Sequence, residues 1–178
     1  MELNELIKDC SRRQKKGLHF ILASIVIWVL ILSVSVTNLP IAQKNIFIFC
    51  CSAVLFPLAW GLSKMLKIDF EGKGNPLTKA GILFSINQML YILIAMWVFA
   101  AVPDKMLMVY TMIFGAHLMP FSWLYQSKSY LVFSIIIPIL ALIVGLLYPP
   151  YILAMIMVVM EIVFSICLFA ECKKVDNT

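Results

Sequence analysis

The run YLVFSIIIPILALIVGLLYPPYILAMIMVVMEIVFSICLFA, Tyr130–Ala170, carries a single charged side chain, Glu161. On either side of the Pro149-Pro150 pair lies a segment matching the roughly 20 apolar residues that an α-helix needs to cross a bilayer. By the same measure the chain has six spans: Gly17–Leu39, Asn45–Ser63, Ala80–Val102, Met106–Tyr125, Tyr130–Tyr148 and Tyr151–Ala170. A strand alone in hydrocarbon leaves its backbone amides unbonded, and the alternation of an outer-membrane barrel is missing, so each span is expected to be a helix. The expectation is an all-α polytopic membrane bundle of six transmembrane helices arranged as three hairpins.

Composition supports this. The chain is 63% hydrophobic and 13% charged with a mean hydropathy of +1.00, more apolar surface than a soluble domain of 178 residues hides in one core. Residues 1–178 therefore read as a single membrane domain, with a basic arm at 1–16, the spans over 17–170 and a tail at 171–178. Span 1 follows basic residues and contains Ser33-Val34-Ser35, the look of a signal peptide. It is longer than a typical signal core and leads straight into another span, so it is expected to stay attached. The arm, with Leu3, Leu6, Ile7 and Cys10 at helical spacing, reads either as a short helix on the membrane surface or as a frayed tail.

Of the 14 Lys and Arg residues, only Lys44 and Lys105 fall outside the arm, the loop after span 2, the span 4–5 connection and the tail. Positive residues remain cytoplasmic, so both termini are expected inside, with the turns around Pro40, Pro103 and Pro149-Pro150 outside. The net charge of +5 is thereby accounted for without nucleic acid; the bilayer and its acidic headgroups on the cytoplasmic face are the expected partners. Self-association into a homo-oligomer is left open.

Shifting the chain by 63 residues lays Lys16 on Lys79, Pro40 on Pro103, Ala53 on Ala116, Pro57 on Pro120 and Trp60 on Trp123. Spans 1–2 and 3–4 thus read as a parallel repeat, or as coincidence in a chain with few residue types. Pro57, Pro120 and Pro138 each lack the N–H that the residue four places earlier would have bonded, so kinks are expected there. Trp60 and Trp123 fit an interfacial belt.

Within the spans, Glu161 is the sharpest residue, because a carboxylate at the bilayer centre needs a partner or a proton. His117, similarly deep in span 4, is its natural partner. Asn87, Gln88 and Tyr91 in span 3 complete a candidate binding set, Glu161, His117, Asn87, Gln88 and Tyr91, expected to line a cavity open toward the cytoplasmic side. Helix-to-helix hydrogen bonding explains the same residues with no ligand. Asp69 and Glu71 read as a solvated loop. The five cysteines show no CxxC spacing, and GxSxG, HExxH and GxxxxGK[ST] are absent, so no catalytic residue, metal site or cofactor is expected. Three functional classes remain open: a bundle that binds or transports a small solute, cation or proton; a noncatalytic assembly, immunity or stress factor; and an intramembrane enzyme.

The segments KKGLHFILAS at Lys15–Ser24, FCCSAVLFPLAW at Phe49–Trp60, INQMLYILIAMWVF at Ile86–Phe99 and FGAHLMPFSWLYQSKSY at Phe114–Tyr130 resemble a family of small bacterial membrane proteins known as a domain of unknown function. The resemblance covers nearly the whole chain. It implies a multi-pass protein of the bacterial inner (cytoplasmic) membrane and carries over no catalytic or binding residue.

Overall fold

A computed structural model describes residues 2–70, 72 and 74–176, with side chains described through Lys174. Glu71, Lys73 and the end of the tail at Asn177 and Thr178 lie outside the described residues. The six expected spans are all helical, at 15–35, 41–65, 77–101, 103–124, 128–147 and 150–174. This is a polytopic membrane helix bundle, preceded by one surface helix.

That surface helix, α1 (Leu3–Arg13), begins where the Glu5 carboxylate accepts the Glu2 backbone N–H at 3.1 Å and ends on Arg12 and Arg13, charges matched to the helix dipole at each end. Of the stripe Leu3, Leu6, Ile7 and Cys10 it buries Ile7 and Cys10 against the ends of the spans, with Leu6 half-buried and Leu3 exposed. Of the two sequence readings, the helix is the one that forms. Asn75 fixes it, donating from Nδ2 to the Leu6 carbonyl and to Asp9, both at 2.8 Å, and Arg13 reaches Asp69 at 2.6 Å.

After a tight turn at Lys15–Gly17, span 1 is α2 (Leu18–Ser35). Span 2 is broken into α3 (Ile41–Ala53) and α4 (Leu55–Met65), and span 4 into α6 (Met106–Ala116) and α7 (Met119–Leu124). The breaks fall at Val54 and at His117-Leu118, each two or three residues ahead of a proline, Pro57 or Pro120. Those prolines withhold the N–H that would continue the ladder. Val54 and His117 are also 63 residues apart, so the two kinks obey the repeat. Pro138 does not break α8 (Lys128–Leu147), which starts with the Ser127 hydroxyl accepting the Tyr130 N–H at 3.3 Å.

Packing does not follow the repeat. The most extensive contacts join α2 to α9 (Pro150–Asp176), the first span to the last, and α6 to α8. Span 3, α5 (Leu77–Ala101), is peripheral and fully buries only Ala95 and Val98, whereas its repeat mate α2 lies in the core. Trp28 of α2, 1% exposed, sets its ring edge-on to Phe114 of α6 at 5.6 Å and ties the two halves together. Gly115 lets α6 and α8 approach, since a Cβ there would lie 2.6 Å from the Pro138 ring; small residues at such crossings are how helices pack without a hydrophobic drive in lipid. Trp60 and Trp123 are half exposed, and the Lys64 ammonium sits 3.4 Å over the Trp60 ring. The last helix runs on through Asp176, so most of the expected tail is helical.

Candidate functional site

Around the α2–α9 interface, α2 buries Ile21, Trp28 and Ile31 and α9 buries Leu153, Met157, Phe164 and Leu168. Glu161 is inserted into it and is 0% exposed. Its depth is central: Glu161 is eleven residues beyond Pro150 and Ser24 eleven before Ser35, about 16 Å at the rise of an α-helix.

Ser24 is the partner of Glu161, through a hydrogen bond between the Ser24 hydroxyl and Glu161 Oε2. The same hydroxyl lies 2.7 Å from the Ile21 carbonyl one turn back. A serine has one hydrogen to give. If it goes to Ile21, whose carbonyl can only accept, the hydrogen between Ser24 and Glu161 belongs to the carboxyl group. Glu161 Oε1 has no protein partner, nor does the buried Ser165 hydroxyl one turn further along α9. Among the described residues, no Lys, Arg or His forms an ion pair with Glu161. The interface thus holds a carboxyl group bonded to a serine and in no ion pair among the described residues.

The other residues of the expected set are placed as follows. His117 occupies the α6–α7 break, where Nδ1–H donates to the Phe114 carbonyl and the ring stands edge-on to Phe114 and Phe121. There it closes the kink. Asn87 donates from Nδ2 to the Tyr91 hydroxyl at 3.0 Å, the expected i to i+4 pair, and both are exposed on α5; Gln88 is half-buried beside them. Glu161 is bonded to Ser24, and no hydrogen bond joins it to His117, Asn87, Gln88 or Tyr91 among the described residues. The reason is positional for the span 3 residues, since Asn87 and Tyr91 lie on the exposed side of α5 while Phe84, Ala95, Val98 and Phe99 face the bundle.

A second polar cluster, at the face carrying the termini, escapes sequence reasoning. Lys16 is 4% exposed; its ammonium bonds the Tyr125 carbonyl at 2.8 Å and the Gln126 carbonyl at 3.3 Å, and lies 3.5 Å from Glu171. Glu171 in turn accepts the Ser129 N–H and hydroxyl at 2.8 and 2.7 Å, and Tyr130 donates to the Lys16 carbonyl at 3.0 Å. Lys15 and Lys16 adopt left-handed backbone conformations with φ of 43° and 50°, unusual for residues other than glycine. The turn is held by that carbonyl-ammonium cage. Around it, burial pushes the Tyr125 hydroxyl well above the usual tyrosine range, keeping it a neutral donor to Gln14 at 2.8 Å.

Fold and site together define a class: a small six-span helical membrane protein with one carboxyl group buried between its first and last spans. The chain belongs to a family of unknown function (DUF7010), whose sequence profile matches residues 3–171. Comparison with curated proteins and with solved structures finds no match.

Proposed function

We propose that the protein binds a proton or a small monovalent cation at Glu161 within the membrane, as a solute- or ion-handling bundle of the bacterial inner membrane with both termini cytoplasmic. The observation that carries this reading is a carboxyl group fully buried at the α2–α9 interface, bonded to Ser24 and in no ion pair among the described residues. Glu161 Oε1 and the Ser165 hydroxyl are buried without a protein partner, and Ser24 has its hydrogen in reach of the Ile21 carbonyl. Leaving such groups unmet in hydrocarbon costs free energy that a bound proton or cation recovers. A carboxylate and a hydroxyl oxygen are hard donors, suited to a proton or a small cation rather than to a soft metal.

The basic face of α1, with Lys8, Arg12 and Arg13 exposed, suits acidic headgroups. The competing reading, a scaffold in which Ser24–Glu161 merely bolts α2 to α9, is favoured by the extent of packing between those helices.

An apolar carbodiimide separates the two, because it modifies protonated carboxyl groups in hydrocarbon. The protein in vesicles should be labelled at Glu161, with sodium or lithium slowing the reaction, and Glu161→Gln should not be labelled. Labelling at Glu161 insensitive to pH and to cations would support the bolt.

A further inference from the structure

On the face opposite the termini, all three distal connections meet around a cavity of about 380 Å³, within the size range of small-molecule sites. Besides Ser35 at the end of α2, its polar lining is Lys44 and Asn45 at the start of α3, Asp104 and Lys105 in the turn before α6, and Tyr148 and Tyr151 about the α8–α9 turn. Lys44 and Lys105 are the two basic residues that depart from the charge bias of the chain. They come from connections 61 residues apart and converge on one cavity.

Each lysine is anchored by a single bond to a carbonyl near a helix end: Lys44 Nζ donates to Ser35 at 3.0 Å and Lys105 Nζ to Gly145 at 2.8 Å. An ammonium has three hydrogens, so each retains two. Neither lysine forms an ion pair among the described residues. The wall between them is fixed, since Asn45, 1% exposed, donates from Nδ2 to the Pro103 carbonyl at 2.9 Å and ties α3 to the Lys105 turn. Capping of α2 and α8 explains one hydrogen of each ammonium, but not why both heads border the same open volume. With Asp104 as the opposing charge, the lining carries a net single positive charge.

The geometry points to this cavity as a binding site for a monoanionic oxyanion, a carboxylate or a phosphate group, held between the Lys44 and Lys105 ammonium groups. Tyr148 and Tyr151 supply hydroxyls and ring surface for the rest of the molecule. The oxyanion belongs either to a dissolved solute or to the headgroup of an anionic lipid at this surface. The site is separate from Glu161, which lies about 16 Å deeper along α9, and neither proposal rests on the other.

Thermal unfolding of the purified protein in neutral detergent provides the test, with sodium phosphate or sodium acetate titrated against sodium chloride at constant ionic strength. A parallel arm compares nanodiscs of phosphatidylcholine with and without phosphatidylglycerol. Stabilisation by phosphate or acetate assigns a solute, stabilisation by phosphatidylglycerol alone assigns a lipid headgroup, and either supports the site. Lys44→Gln and Lys105→Gln retain a donor for their carbonyls and lose the charge; each should weaken the anion about tenfold or more. Lys105→Arg should retain binding, Asp104→Asn should tighten it, and Glu161→Gln should leave it unchanged. No stabilisation by any of the three anions, or equal stabilisation of the parent and both Gln variants, overturns the proposal.

Discussion

Ser24 and Glu161 carry the chemistry at the scale of the residue. Removing the hydroxyl by Ser24→Ala leaves the buried carboxyl group without its partner, and the expected cost is about 1–3 kcal/mol of stability. Glu161→Leu should cost less, and adding Ser24→Ala to it should cost almost nothing more, a non-additivity that a double-mutant cycle in detergent measures directly. Additive losses would mean that the two side chains act separately. Cys10, outside the spans, has its thiol pushed up to about 11, first by burial and then by the neighbouring Asp9 carboxylate. The folded state therefore holds the thiol proton more tightly than the unfolded chain does. Stability from this group is intact below about pH 9 and is lost as pH rises toward 11. A water-soluble maleimide should react slowly with Cys10 at pH 8, and Asn75→Ala, which releases α1, should speed it severalfold. Glu161 was legible in the sequence because it is the one charge in its run. Ser24 was not, because a serine in an apolar helix usually bonds its own backbone, as Ser24 also does to Ile21.

Among the elements, the spans were readable from hydrophobic length alone, and the kinks from Pro57 and Pro120. Pro138, read the same way, leaves α8 unbroken. Which helices pair was not readable, since a lipid-facing and a core-facing helix are equally apolar; α5 and α2 differ in burial far more than in composition. Close approach is visible at Gly115, where a Cβ would stand 2.7 Å from Ile137 and 2.6 Å from Pro138. Gly115→Leu should force α6 from α8 and destabilise the bundle by about 1–3 kcal/mol or more, read as an earlier thermal transition. Gly61, where an added methyl group would meet nothing within 4 Å, is the matched control and should tolerate Ala.

The whole molecule is asymmetric: a polar, latched face with both termini, a cavity with two lysines opposite, and a carboxyl group between. Charge bias made the two faces legible, but the cavity was not, because its walls come from three separate connections. Single cysteines near the C-terminus should react with impermeant reagents only from the cytoplasm, and those replacing Ala42 or Asp104 only from outside; reversed labelling would overturn the orientation. The central claim is that Glu161 sits in the membrane as a carboxylic acid that gives up its proton for a cation. Infrared difference spectroscopy of the protein in vesicles tests it most directly. The parent should show a protonated-carboxyl stretch at neutral pH that weakens when sodium is added and is missing in Glu161→Gln; identical spectra for the parent and the variant would contradict the claim.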